Sequence, residues 1–398
     1  MKLKVLHIIG YEQLFPPMNG GMLRCWNLVN QLSKYTELDV LTLQSDIQEK
    51  ISSHEVINSS TNFLFPAKKS LIPEKSFVTK VLDGFIYRWF YRTFSSTDSN
   101  FLRIIPIVKN IENNKYDLII FEHLESLMLW RKIKKIFPTA VIVFDAHNVD
   151  HVLLSGKLTK TQLNRIRAQE SSLFLKCDLI IACSINDANV FAQLNQYKIP
   201  VRVVPNGIDT KMNSYNFPDF SENLNLIFCG SLDYDPNIQG LCWFLENIWP
   251  AIVERHPSIN LSIVGRGKIS IVLKNLLQKN SRIIFIGEVD NVVQYYRKAH
   301  FAIVPILHGS GTRMKILEAM SLGIPVISTT AGAEGLEYEA DKNILIANSP
   351  CEFNRAIKFF DKPQVLKCIS ENARELVERK YSWDIIVSNL MKELIELK

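Results

Sequence analysis

The sequence predicts an α/β chain built from two doubly wound domains, and three observations predict it. Short continuous apolar runs rich in Val and Ile recur along the chain with helical patterns between them, which fits strands of parallel sheets covered on both faces. The runs fall into two series with a polar divider between them, arguing for two such sheets. The chain has 398 residues, too long for one compact core.

Taken in order, "KVLHIIG", "ELDVLTL", "YDLIIFE", "AVIVFDA", "CDLIIACS" and "VRVVPN" make the first series of strands. "LNLIFCGS", "INLSIVGR", "RIIFIGE", "AHFAIVPI", "IPVIST" and "ILIANS" make the second. The divider, "VPNGIDTKMNSYNFPDFSEN", holds Pro, Asn and Gly among polar residues. The expected domains are 1–205 and 206–380, followed by a terminal helix over 381–398 packing back toward the first domain. In that helix Trp383, Ile386, Leu390, Leu394 and Leu397 share one stripe. The segment "SFVTKVLDGFIYRWFYRTFSS", residues 76–96, breaks the rhythm: it is dense in aromatics with Lys80, Arg88 and Arg92 interleaved. It reads either as a helix packing an aromatic face on the first domain or as an interfacial surface for lipid or a lipid-borne acceptor.

With 47% hydrophobic and 22% charged residues, the composition is that of a globular protein, not of a disordered or fibrous one. The formal net charge of +6 permits attraction to phosphate or to an anionic membrane but requires neither, and nothing marks a nucleic-acid binder. Seven cysteines are scattered without a C-x-x-C pair and read as reduced core thiols, not as a disulfide framework or zinc site. The start "MKLKVLHIIGYEQ" reads as a first strand rather than a signal peptide, and no window reaches the roughly 18 apolar residues of a membrane span. A cytoplasmic protein is expected, soluble or peripheral at the inner face of the membrane.

One stretch poses a physical problem. In "HGSGTRMKILEAMSLGIPVIST" a strand, "FAIVPI", ends at a glycine loop and a helix is expected from about Thr312. Arg313 and Lys315 then fall at the helix start, where the dipole disfavours cations. An anion bound there would turn both into charge partners, and phosphate is the common one. The plainer alternative is a solvated helix end with Lys315 paired to Glu318, three residues on.

Other motifs are weaker. "GSGTRM" lacks the third glycine of a dinucleotide fingerprint, and "GRGKIS" lacks the Ser or Thr that follows the Lys of a P-loop. "DYD", Asp233 to Asp235, spells D-x-D, but Pro236 and Asn237 follow, so a turn with Asp235 or Asn237 capping the next helix is expected. "DAHNVDH" gathers Asp145, His147, Asp150 and His151, a set that could hold zinc or line a metal-free active site. "IIFEHLES" sets Glu122 and His123 at a strand end, suited to acceptor recognition or to a helix cap; with Asn148 they are the acceptor candidates.

Five segments, in order, resemble the family 4 (group 1) retaining glycosyltransferases: "FPPMNGGMLRCWNLVNQL", "FDAHNVD", "VVPNGID", "LIFCGSLDYDPNIQGLCWFLENIWPAI" and "SGTRMKILEAMSLGIPVISTTAGAEGL". The resemblance covers nearly the whole chain. It implies the GT-B fold, two Rossmann-like domains facing a central cleft, with the nucleotide-sugar donor on the second and the acceptor on the first. By matching position, Glu318 binds the ribose hydroxyls, and Arg313, Lys315 and the Gly311–Thr312 backbone hold the pyrophosphate. Gly230, Ser231, Gly309 and Ser310 complete the donor loops. Gly20 and Gly21 approach the donor from the first domain, and His147 contacts the sugar or its reacting centre. The chain departs from the family at two places. Ser310 stands where many members carry a second Glu, and no Arg or Lys follows Gly230 closely, so Arg313 and Lys315 are expected to take over that charge.

The resemblance further implies transfer of a sugar to an acceptor hydroxyl with retention, without metal or other cofactor. The role implied is in bacterial envelope polysaccharide or glycolipid assembly, on a saccharide or lipid-linked acceptor. Two alternatives stay open: a nucleotide-sugar 2-epimerase of similar shape, and a nucleotide-sugar-binding subunit without turnover.

Overall fold

The computed structural model describes residues 2–11, 13–17, 19–51, 61–65, 105–220, 223–308 and 314–398. The aromatic and basic segment 76–96 and the loop residues Gly309, Ser310, Gly311, Thr312 and Arg313 lie outside the described residues. The chain divides into two compact units, Met1–Pro205 with Val387–Lys398, and Asn206–Ile386.

The first unit is built on β1 (Lys4–Ile9), β2 (Glu37–Thr42), β3 (Thr61–Leu64), β4 (Leu118–Glu122), β5 (Val141–Ala146), β6 (Leu179–Ala182) and β7 (Val201–Val203). They form one sheet in the order β3-β2-β1-β4-β5-β6-β7, parallel at every pairing. Strand order reverses between β1 and β4, and in sheets of this kind ligands bind beyond the carboxyl ends of the strands at that point. The central runs are buried as expected: Val5, Leu6 and Ile8 in β1 and Ile119 and Phe121 in β4 have no exposed surface. β7 differs. It closes one edge, so Val203 is 41% exposed despite its apolar run. β3, "TNFL", forms the opposite edge and carries too short and mixed a pattern to stand out in the sequence.

The helix Gly20–Tyr35 follows β1. Asn19 caps it, its side chain accepting from the Met22 backbone N–H at 2.9 Å, and Cys25, Leu28, Val29 and Leu32 form its buried stripe. The helix Trp383–Glu396 buries Trp383, Ile386, Leu390 and Leu394, while Leu397 lies beyond its end, only partly buried. Its last turns belong to the first unit, where Glu393 pairs with Arg202 at 3.1 Å and Lys398 with Asp117 at 2.6 Å.

The second unit carries β8 (Asn225–Cys229), β9 (Asn260–Val264), β10 (Ile283–Gly287), β11 (Phe301–Val304), β12 (Val326–Ser328) and β13 (Leu345–Ile346). They pair in parallel in the order β10-β9-β8-β11-β12-β13, repeating the same reversal between β8 and β11. β10 is an edge, which leaves Ile284 and Phe285 exposed where a strand buried on both faces was expected.

The helix Asp235–Asn247 follows β8 with Pro236 in its first turn. The expected side-chain cap from Asp235 or Asn237 does not form. Tyr234 occupies the cap position without a side-chain bond, because Asp235 instead accepts from Gln239 and Asn237 reaches back toward Ser231. The helix Met314–Leu322 follows β11. Cys25, Cys177, Cys183 and Cys229 are buried free thiols, whereas Cys351 and Cys368 are exposed rather than in the core. Among the described residues no helix is long and apolar enough to cross a membrane.

Candidate active site

In the first unit the ends of β1, β4 and β5 bring titratable groups together at the switch point. Glu122 closes β4 and is fully buried. Its Oε1 accepts from His7 Nε2 of β1 and its Oε2 from His147 Nε2, which follows β5, each at 2.6 Å. Burial alone would raise this carboxyl. The hydrogen bonds and charges of His147 and His7 outweigh it and hold the group well below the usual carboxylate range. With Nε2–H committed to Glu122, the His147 Nδ1 has no hydrogen-bond partner among the described residues, although the residue is only 7% exposed. Nδ1 lies beside the start of the helix Gly20–Tyr35: a Cβ built on Gly21 would stand 3.2 Å from it and 2.3 Å from the Tyr11 hydroxyl. Only a residue without a side chain leaves that space open.

His123 follows Glu122 with φ of 61°, a left-handed conformation costly for a residue with a Cβ. It is held by Tyr11, whose hydroxyl lies 2.7 Å from His123 Nε2, and by contact with the His147 ring at 3.8 Å between centroids. Burial, then the His147 charge, push its pKa down to about 3, so His123 is neutral at pH 7. Asn148, partly buried, follows His147.

Beneath these groups, Arg24 of the helix Gly20–Tyr35 forms a buried two-point ion pair with Asp145, at 3.1 and 2.9 Å. Its Nη1 also donates to the carbonyls of Val204 and Pro205. Burial disfavours the charged guanidinium, but Asp145 more than offsets it, and Arg24 stays charged.

Of the four residues considered for zinc, Asp145 pairs with Arg24 and His147 with Glu122, while His151 and the Asp150 backbone N–H both go to Glu170. They do not converge on one point. Cys25, Glu122 and His147 do place ligand atoms within 4.8 Å of one another. There the carboxylate is already satisfied by two imidazoles, and burial pushes the Cys25 thiol well up, away from the thiolate a metal would need.

The second unit supplies a different chemistry at its own switch point. Gly230 and Ser231 follow β8, and Lys315 and Glu318 lie on the helix after β11. Lys315 does not pair with Glu318. Its Nζ donates to Asn237 Oδ1 at 2.7 Å and stands 4.8 Å above the centre of the Phe228 ring. Asn237 Nδ2 in turn donates to the Ser231 carbonyl at 2.8 Å. Glu318 is partly buried, and burial lifts its pKa to about 7. In the D-x-D motif, Asp233 accepts from the Lys268 backbone N–H and Asp235 from Gln239, so both carboxylates serve local turns.

No Arg or Lys follows Gly230 closely in sequence, but folding brings the backbone of a basic loop against that turn. The Leu232 N–H bonds the Arg266 carbonyl at 2.7 Å and the Lys268 N–H bonds Asp233, so the "GRGK" loop lies against that turn. Asn237 was read only as a candidate helix cap, and Tyr11, His7 and Arg24 were not singled out.

Two family models match the chain: Glycosyltransferase Family 4 over residues 61–212 and Glycosyl transferases group 1 over residues 223–360. The chain belongs to the group 1 glycosyltransferases of family 4 type. An uncharacterized 44.6 kDa protein in the cps region of Klebsiella pneumoniae is 30% identical over 190 residues, 46% of this chain and 49% of that protein. The phosphatidyl-myo-inositol mannosyltransferase of Mycolicibacterium smegmatis is 24% identical over 201 residues, 48% of this chain and 50% of that one. This glycosyltransferase chain thus spans about half the length of those curated relatives.

Solved structures extend the likeness to the full chain. Anabaena HepE in complex with UDP and glucose aligns at a TM-score of 0.67 and 15% identity, over 99% of this chain and 100% of that one. Sucrose-phosphate synthase from Thermosynechococcus elongatus aligns at 0.69 and 17%, over 100% of both chains. At these identities the likeness shows the fold, which is the two-domain GT-B fold.

Proposed function

We propose that this chain transfers a sugar from a nucleotide-diphosphate donor to an acceptor hydroxyl with retention of configuration. The single observation that carries the reading is the constellation at the second unit's switch point, in a chain that belongs to a glycosyltransferase family. A bare glycine turn, a held ammonium at Lys315 and a partly buried carboxylate at Glu318 meet where parallel sheets bind ligands. The donor belongs there. Lys315 gives charge to the diphosphate, a role that position in the family also assigns to Arg313 and the Gly311–Thr312 backbone, and Glu318 accepts from the ribose hydroxyls. HepE, of the same fold, binds UDP and UDP-glucose.

In the reaction the acceptor oxygen bonds to the anomeric carbon on the face from which the diphosphate leaves. The carbon–oxygen bond to the phosphate breaks, and the acceptor proton passes to the departing phosphate oxygen. Stabilising that leaving group is the main task, and Lys315 contributes charge to it without a metal. His147, its ring oriented through Nε2 by Glu122, offers Nδ1 to a sugar hydroxyl, with Gly20 and Gly21 leaving the approach open.

The acceptor is a saccharide or lipid-linked saccharide of the bacterial envelope, met at the cytoplasmic face of the membrane. The relatives named as phosphatidyl-myo-inositol mannosyltransferases support a lipid-borne acceptor. A thermal-shift screen across nucleotide sugars identifies the donor, since a bound ligand raises apparent stability. Transfer is then run with that donor and the product anomer read by NMR. An inverted product, or epimerised free nucleotide sugar without transfer, overturns the reading.

A further inference from the structure

We infer that Asn237 is the positioning residue that fixes the charge of the diphosphate site, and that Gly230 is glycine to leave room for that charge. The inference rests on the proposed role of Lys315 toward the donor diphosphate.

A lysine ammonium ends a flexible four-carbon stem with about 2 kcal/mol of rotamer entropy, so an unaided Lys315 would sweep a wide arc. Here it is held from two sides. Asn237 Oδ1 accepts from Nζ at 2.7 Å, and the Phe228 ring lies 4.8 Å below. The amide cannot turn over. Its Nδ2 donates to the Ser231 carbonyl at 2.8 Å, and a flipped amide would put NH2 against the ammonium and oxygen against the carbonyl. Asn237 itself is 4% exposed in the first turn of the helix Asp235–Asn247. One buried amide thus ties the Ser231 turn, the helix after β8 and the ammonium from the helix after β11.

The choice of an amide has a chemical reason. A carboxylate at this position would hold the ammonium more tightly but would cancel its charge and compete with an incoming phosphate. A neutral oxygen holds it without cancelling its charge. Gly230 fits the same purpose. A Cβ there would stand 2.5 Å from Lys315 Nζ and 2.8 Å from Asn237 Nδ2, so any side chain would displace the held ammonium. In a chain with no Arg or Lys directly after Gly230, this arrangement brings a cation to the turn from 78 residues beyond Asn237.

The test measures binding of inorganic pyrophosphate and of UDP by calorimetry to the full chain and to the K315A, N237A and K315A/N237A variants. Asn237 acting through Lys315 makes K315A and N237A each weaken both ligands about tenfold, with the double variant no weaker than K315A within about twofold. A residue that only braces the turn gives losses that add, and additive losses overturn the inference. Unchanged affinity in N237A beside a weakened K315A also overturns it and leaves the diphosphate reading standing. Unchanged affinity in K315A overturns the diphosphate reading and this inference with it. If N237A fails to fold, Asn237→Asp decides, because it keeps the size and the hold on Nζ, gives up only the Nδ2 bond to the Ser231 carbonyl, and cancels the charge. It lowers pyrophosphate affinity at least about tenfold if the inference is right, and unaltered affinity overturns it.

Discussion

The Glu122 carboxylate is shared between two buried imidazoles, His7 Nε2 on one oxygen and His147 Nε2 on the other, each at 2.6 Å. The arrangement turns the Nε2–H of each ring toward the carboxylate. Glu122 was read from sequence as an acceptor-binding candidate. Both of its oxygens are bonded to imidazoles and it has no exposed surface, so the structure shows it holding His7 and His147.

Replacing Glu122 by Gln tests this directly. The Gln side chain offers one oxygen and one NH2, so one imidazole loses its acceptor and must change tautomer or stay unpaired. A stability loss of about 2–4 kcal/mol in urea unfolding is expected from a broken buried network. Sugar transfer should fall by about a hundredfold as His147 loses its orientation. Wild-type turnover in a folded E122Q would remove Glu122 from any part in the site.

The buried Arg24–Asp145 pair gives a second prediction. Arg24→Ala leaves the Asp145 carboxylate buried without its partner and frees the Val204 and Pro205 carbonyls, so a loss of about 3–5 kcal/mol is expected. Arg24→Lys should recover little, because one ammonium cannot make the two-point contact and reach both carbonyls. Replacing both partners, as R24M/D145N, should cost less than R24A alone. Chemical unfolding of the three variants checks the order, and a double variant worse than R24A would contradict it.

Much of this fold is legible in the sequence because central parallel strands must be apolar on both faces. "KVLHIIG", "YDLIIFE", "LNLIFCGS" and "AHFAIVPI" all became strands at or beside the switch points. The edges were less legible. β7 and β10 carry equally apolar runs yet are exposed, since position in a sheet is not written in one strand's own composition. In the site, His147, Lys315 and Glu318 stood out because they follow strand ends or open a helix near glycines. Asn237 did not, because an Asn near a helix start has a sufficient local explanation as a cap, and its actual partner is far away in sequence. His7 and Asp145 sit inside apolar strands, and a lone polar residue there was the one available signal for a buried network.

Gly21 supplies a third prediction, in which one substitution rescues another. A Cβ at this position meets the Tyr11 hydroxyl at 2.3 Å and His147 Nδ1 at 3.2 Å. Tyr11 is the softer neighbour, so G21A should displace it and break its bond to His123 while the fold survives. Transfer is expected to drop about tenfold or more, since the same methyl crowds Nδ1. In G21A/Y11F the colliding hydroxyl is gone, so the double variant should be more active than the product of the two single effects. Strictly multiplicative losses in a steady-state assay would show that the two side chains do not meet.

Glu318 gives a prediction in pH. Burial lifts its pKa from the ordinary 4.5 to about 7, so between those values the folded protein binds more protons than the unfolded chain. Its contribution to stability is therefore fully present below about pH 4.5 and is lost as pH rises through about 7. One to three kcal/mol is the expected scale, about 1.4 kcal/mol per pKa unit discounted for partial exposure. Glu318→Gln should flatten this part of the stability curve. Nucleotide binding should run the opposite way. A carboxylate accepts from two ribose hydroxyls better than a carboxylic acid, so affinity for UDP or the donor found in the screen should rise as pH passes through 7. In E318Q the binding slope should vanish, while the stability slope should shrink by the share of Glu318, since burial also lifts Asp150 and Glu170 to about 7 and they keep theirs. Parallel calorimetry and urea unfolding from pH 5.5 to 8.5 test them, and a binding slope that persists in E318Q would assign the titration to another group.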